Sequence, residues 1–343
     1  MAFSPSLPSG LGLPTPRQVD MYVKKWSPDS ALHIGNGLMP IQNHFLPNVE
    51  WDEVAGIQGL AQAHSLDSEP QSVVLQPHAH KTERSMYFKE YMKAKESDFL
   101  NIRAAGTQAQ LAGRQLIQEM ADTLNTRLDA RLEQLRWAAA QGTVTIDENG
   151  IKRTITYGVQ SNITPSTPWS TVASAVPITD IQTAMLALRG TGSGRCTLYI
   201  NQYVANLLAN NTAFQTAVRQ AAGSALTMSP DNLNQGFALL CGGELQVVVY
   251  DEGYTATGGT FTPFIPNTRA LLVKGTPKGQ PLGAFKTTPS VHNGGPENPM
   301  PGRFSVVDAE NINSKNPRYE ITVGMYGVPV IYFPQCIQPI VVA

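Results

Sequence analysis

The residues with the most chemical potential are Gly190-Thr191-Gly192-Ser193-Gly194-Arg195, the pair His78 and His80, the carboxylates Asp251 and Glu252, and three cysteines. Glycines spaced like the first group cradle a phosphate when a strand leads in and a helix leads out, because the helix N-terminus then faces the anion. Here a helical pattern comes before and an apolar strand, Cys196 to Ile200, after; no Lys-Ser or Lys-Thr pair follows. The stretch reads as a flexible turn. In Pro-His-Ala-His the two histidines fall on one side of a strand, but two ligands do not complete a zinc site, and His64 is too loosely placed to be a third. Asp251 and Glu252 follow an apolar strand and read as its solvated end. There is no Gly-x-Ser-x-Gly elbow, and no cysteine has a convincing histidine partner. The sequence therefore assigns no catalytic, cofactor-binding or metal-ligating residue and calls for no cofactor.

Composition narrows the class further. The 343 residues suffice for two or three domains. Only 15% are charged, against about 25% in a typical soluble domain, which fits a subunit that buries much of itself against neighbours. A formal net charge of −1 lacks the basic footprint of a nucleic-acid binder. Cys196, Cys241 and Cys336 are far apart, with no CxxC spacing, and are expected to be free thiols in a reducing compartment. The N-terminus lacks the basic and apolar regions of a signal peptide, and no uninterrupted apolar run is long enough to span a membrane.

The elements that position these residues centre on Thr107 to Gln141. Leu111, Ile117, Met120, Leu124, Leu128, Leu132, Leu135 and Ala139 recur mostly at steps of three or four, the period of one helical face. Leu124, Leu128, Leu132 and Trp137 are the expected core contacts, and the intervening polar residues predict a polar reverse face. Gly142 then stops a helix of roughly 50 Å. Two β-prone runs, Thr143 to Ile146 and Ile151 to Gly158, flank Asn149-Gly150, a pair suited to the positive φ angles of a tight hairpin.

A long amphipathic helix ending in Arg-Trp-Ala, followed by Gly-Thr-Val and a hairpin closing on Tyr-Gly, resembles the lambda-type major capsid protein E family of tailed phages. The resemblance extends along the order of later elements. These are a helix from Thr179, strand Cys196 to Ile200, one or two helices over Asn201 to Ala222, strand Leu245 to Tyr250, and Ile265-Pro266-Asn267 before an apolar strand at Ala270 to Val273. Return strands follow at Tyr319 to Met325, Val328 to Phe333 and Ile337 to Val342. It implies an α+β tailed-phage capsid fold in four parts. Residues 1–44 form an N-terminal arm and 45–106 an extended loop over the adjacent subunit. Residues 107–176 form the spine helix and peripheral-domain hairpin, and 177–343 an axial domain with C-terminal return strands.

Two stretches carry expectations of their own. Residues 1 to about 20, rich in Pro, Ser and Gly, read as an arm with no core. The charge-dense half of the piece Ile57 to Ala105 has little to bury within one subunit, so Lys89, Lys93, Lys95 and Glu96 are candidates for an interface with a neighbour. Thr276 to Pro317 reads as a long loop with at most one strand, near Phe304 to Val307.

The function the resemblance implies is a non-enzymatic major capsid protein. It would assemble in the host cytoplasm into hexamers and pentamers of an icosahedral virion head, enclosing double-stranded DNA without reading its sequence. Expected partners are a separate scaffolding protein, a portal and a decoration protein; no membrane is involved. The alternatives are an encapsulin-like compartment shell and, in a different class, a soluble oligomeric enzyme.

Overall fold

The computed structural model describes residues 14–54, 78–95, 97–98, 107–223, 227–256, 259–308 and 318–342. Thr107–Ala140 is a single helix of 34 residues. Ile117, Met120, Leu124, Leu128, Leu132, Leu135, Trp137 and Ala139 are all buried along it, while the side chain of Leu111 lies outside the described part. The exposed part of the expected polar reverse face ends at Arg127: Gln115, Glu119, Thr123, Thr126 and Arg127 are exposed. From Leu132 to Ala140 no residue is exposed, because other segments close around the helix on every side. The helix stops at Gly142, whose φ of 99° suits glycine. The hairpin Thr143–Glu148 and Ile151–Thr156 follows, turning through Asn149 (φ 50°) and Gly150 (φ 78°). Two successive left-handed residues match the right-handed twist of the flanking strands.

The spine lies against a five-stranded sheet organised by Arg318–Ile331, a single strand of 14 residues where the sequence suggests two. Met86–Lys95 pairs with its first ten residues, along one edge. Gly283–Thr287 and Phe304–Asp308 share the other edge, and Ile41–Asn43 pairs in parallel with Gly283–Thr287. Tyr319, Ile321, Val323 and Met325 alternate into the core beneath the spine. Gly283–Thr287 corrects the expectation of at most one strand in 276–317: Ala284 and Phe285 are fully buried. Pro281 and Pro289 bracket this short strand, and its two faces are both covered, so neither length nor alternation announces it.

The expected arm is also corrected. Pro16–Lys24 is a helix that starts with a Thr15/Gln18 capping box, and its Val19 and Val23 are fully buried against the sheet and spine. The signal was present in Thr15-Pro16-Arg17-Gln18, an N-cap, a proline at the first turn and a reciprocal Gln. Residues 1–13 lie outside the described part.

The second body is a four-stranded sheet in the order Ile337–Val341, Arg269–Lys274, Cys196–Ile200, Leu245–Val249. Helices Pro177–Ala187, Gln202–Asn210, Thr212–Ala222 and Leu233–Cys241 surround it. Asn201 and Asn211 cap two of them through side chains that accept from Val204 and Phe214 amides. The edge strand Leu245–Val249 is closed by one side chain: Asn234 accepts from the Val247 amide (2.6 Å) and donates to the Val247 carbonyl (2.8 Å).

Candidate assembly surface

The spine carries a buried polar stripe at helical spacing, Asn125, Asp129, Glu133 and Arg136. Glu133 is its hub. One carboxylate oxygen accepts from the Gly35 amide (2.6 Å), the Trp137 indole (2.8 Å) and the Tyr250 hydroxyl (3.2 Å). The other lies 3.3 Å from Arg136, which also donates to the Met39 carbonyl and the Asn36 side chain, both at 3.0 Å. Burial lowers the pKa of Arg136, opposed by Glu133 and Asp129. One turn earlier, Asp129 accepts from Trp26 (2.6 Å) and is ion-paired to Arg303, which reaches Asn125 at 3.0 Å. At the middle of the spine, Tyr22 donates to Asp122 at 2.5 Å, and burial raises its pKa to about 12. Four segments distant in sequence are thus tied to one helix by groups that would be costly to bury unpaired.

Beside the spine, Asn48–Val54 pairs antiparallel with His78–Arg84. Val49, Trp51 and Glu53 point inward. Glu53 pairs with Lys81 at 2.9 Å, Lys81 donates to the Thr156 carbonyl at 2.8 Å, and Glu83 pairs with Arg153. These contacts fasten the ladder to the spine's hairpin. A Cβ at Gly158 would sit 2.6 Å from Glu53 Oε2, so a larger residue there would push that carboxylate aside.

Strand Met86–Lys95 has two unlike faces. Met86 and Ala94 are buried and Phe88 and Met92 pack on the core, while Glu90 pairs with Arg127 of the spine, which lowers the Glu90 pKa. This corrects the expectation that the charge-dense segment has little to bury in its own subunit; the apolar residues recur every second position, hidden among the charges. The other face presents Lys89, Tyr91, Lys93 and Lys95, all exposed. Lys89 sits 5.1 Å over the Tyr87 ring and Lys93 4.7 Å over Tyr91, with Lys93 also 3.5 Å from Glu320. Neither Lys89 nor Lys95 has an ion-pair partner among the described residues. Register places Val306 and Thr322 in one row with Tyr91. Glu96 lies outside the described residues, as do 55–77 and 99–106 of the expected loop.

The family model of phage major capsid protein E matches residues 32–292. The chain belongs to that family. A protein from a prophage of Escherichia coli CFT073, described as a capsid protein, shares its fold. The TM-score is 0.52 at 17% identity, over 78% of this chain and 80% of that one. Capsid proteins of cyanophage P-SCSP1u (TM-score 0.49, 12% identity, 93% and 90% covered) and Myoviridae phage XM1 (0.48, 12%, 94% and 95%) are also similar. No curated protein matches in sequence. As a phage major capsid protein, the chain builds the head shell and resides in the virion capsid.

In this capsid protein the other chemical candidates fall into ordinary places. The glycine-rich stretch is the turn between Pro177–Ala187 and Cys196–Ile200, and a Cβ on Gly192 would lie 2.2 Å from the Gly275 carbonyl. His80 lies 2.9 Å from Asp52 on the exposed side of the ladder, while the His78 side chain is outside the described part. Among the described residues no three His, Cys, Asp or Glu form a metal-binding group, and no helix is long and apolar enough to cross a membrane. Asp251 accepts from the Gln202 amide at 3.1 Å, favourable at a helix start. All three cysteines are free, with burial raising their pKa values. The polar stripe of the spine was missed because each member reads singly as a surface residue; its three-and-four spacing alongside the apolar stripe was the available signal.

Proposed function

We propose that the shell is built of hexamers and pentamers of this chain without chemistry of its own, and that the outer side of strand Met86–Lys95 is one of the surfaces through which copies meet. The observation that carries this is the row of side chains left on that side. Tyr91 is 58% exposed and Val306 38%, and Lys89 and Lys95 flank them without carboxylate partners among the described residues. An exposed aromatic and aliphatic row rimmed by cations is the composition of an interface. Small exposed charge pairs contribute about 0–1 kcal/mol each, but a repeated interface accumulates them and uses them to select which edges meet. Glu96 is expected to share this surface. A separate scaffolding protein, a portal and a decoration protein complete the set of partners, and packaged double-stranded DNA is contained rather than read.

The test reverses Lys89 and Lys95 to Glu in the full chain. We expect unchanged melting of the free subunit and loss of particles in negative-stain micrographs. Normal particles would remove this face from the interface. Lys93→Glu serves as the contrast: it sets two carboxylates together with Glu320, so a drop in subunit melting is expected there.

A further inference from the structure

Charge in this chain is unevenly placed. Residues 181–230 and 253–296 contain seven Lys and Arg and neither Asp nor Glu, although the whole chain has 26 Asp and Glu against 25 Lys and Arg. Four of the seven lie on two loops at one end of the four-stranded sheet, and the loops are tied together. Ser193 donates from its amide to the Gly275 carbonyl (2.8 Å) and from its hydroxyl to the Thr276 carbonyl (2.9 Å), and the Gly275 amide donates to the Arg195 carbonyl (3.3 Å). Lys274 pairs with Cys196 and donates to the Leu188 carbonyl at 3.1 Å, so it links the backbone before Arg189 to the backbone after Arg195. Lys278 stands in the next turn, Pro277–Gly279. Arg189 and Arg195 are exposed and have no ion-pair partner among the described residues. Glu244 is the carboxylate beside them, its carbonyl accepting from the Cys196 amide at 2.9 Å, and it leaves the cations in excess.

Such a cluster suits an anion with many charges and little shape. The turn is open, with Gly190, Ser193, Gly194 and Gly275 exposed, so no walls enclose a nucleotide. The amides of Gly192, Gly194 and Arg195 have no acceptor among the described residues. Backbone amides, hydroxyls and guanidinium groups are the usual donors to phosphate oxygens. The helix Pro177–Ala187 ends at this turn, and the free carbonyls of a helix end repel an anion. That end is neutralised here: the Leu188 carbonyl accepts from Lys274 and from the Thr191 hydroxyl at 2.9 Å. We infer that this turn, Arg189 to Arg195 with Lys274 and Lys278, binds the phosphodiester backbone of double-stranded DNA without reading its bases. The inference rests on the shell reading, under which packaged DNA lies against the subunits. Each contact is weak, but a confined polymer meets many copies at once.

Two experiments on the full chain test it. In the first, free subunits bind duplexes of two unrelated sequences over a range of salt concentrations. Arg189→Gln with Arg195→Gln should leave melting unchanged and lower the slope of log affinity against log salt by about 1.8, the loss of two phosphate contacts. At ~0.1 M salt that is about ten- to a hundredfold weaker binding, equal for both sequences. Arg84→Gln with Arg219→Gln, two exposed arginines on other elements, should leave the slope as it is. An equal fall in both pairs would show a general attraction to charge and overturn the inference. Poly-glutamate binding as tightly as DNA would overturn it too, in favour of an acidic protein segment. In the second experiment, micrographs first establish that unaltered chains have formed heads, so failure of the shell reading is seen on its own. Phenylglyoxal, which modifies guanidinium groups, is then applied to filled heads and to heads emptied of DNA. Protection of Arg189 and Arg195 in filled heads alone is the expected result. Equal reaction in both overturns the inference, and so does protection in both, which would assign the turn to a contact between copies.

Discussion

The two cores of this capsid subunit are held by different means. The spine core is tied together by charges: Asp129, Glu133, Arg136 and Arg303 are buried and connect the spine to residues 26–39, 250 and 303. The axial core, from Trp169 through Phe214 and Phe237 to Val342, is apolar, and its buried asparagines are neutral ties: Asn201 and Asn211 cap helices through their oxygens and donate to the Ile265 carbonyl and to the Val172 and Ala175 carbonyls. A buried ion pair adds little over a well-packed apolar pair, but breaking one is severe, because the remaining charge has nowhere to go. Both cores therefore bring distant segments together, the spine core through buried charges and the axial core through apolar packing and neutral side chains.

The sharpest way to break that contrast is Glu133→Ala. It strands Arg136 and unpairs the Gly35 amide and the Trp137 indole, and should cost about 3–5 kcal/mol in urea unfolding of the free subunit. Hydrogen exchange should rise over residues 26–39 and 117–140 and stay low over 202–241; a uniform rise would show that the two cores unfold as one. Leu128→Ala, a purely apolar loss within the charged region, should cost about 2–5 kcal/mol through the cavity it leaves. If it raises exchange at Gly35 as much as Glu133→Ala does, the charges are not what holds the N-terminal segment. Thr15→Ala removes an N-cap and should cost about 0.5–2 kcal/mol. No change in melting would mean that Pro16–Lys24 contributes nothing to the fold.

The smallest effect concerns acid. The folded pKa of Glu90 is depressed, chiefly by its bond to Arg127. Its contribution is thus fully present above the pKa of the unfolded carboxyl and is lost as pH falls through the lower folded value. Both side chains are half-exposed or more, so about 0–1 kcal/mol is at stake. Glu90→Gln should flatten the decline of stability below about pH 4.5, and an unchanged acid limb would show that other carboxylates carry it.

The same contrast explains what could be read in advance. The spine, its hairpin and the axial strands carry their signals locally, in periodicity, in Asn-Gly, in caps, and their positions were legible. Leu124, Leu128, Leu132 and Trp137 are buried, as a repeating apolar stripe implies. What escaped depends on contacts far along the chain. Glu133 reads as a surface residue until Gly35 and Tyr250 are brought beside it, and Gly283–Thr287 reads as a loop until strands close on both of its edges. Of the candidate surface, the charge-dense run was visible but its division into two faces was not, because opposite charges such as Glu90 and Lys89 alternate without regard to which has a partner on the spine.

One side chain carries a consequence for how a shell can grow. In a filling head, identical chains sit at a local concentration far above that of free subunits, where any bare strand edge is an invitation to endless sheet extension. Asn234 occupies both the amide and the carbonyl of Val247 on such an edge. A single carboxamide thereby acts as a stop at that residue, so a strand from another copy cannot form its ladder bonds with Val247 at the centre of this edge.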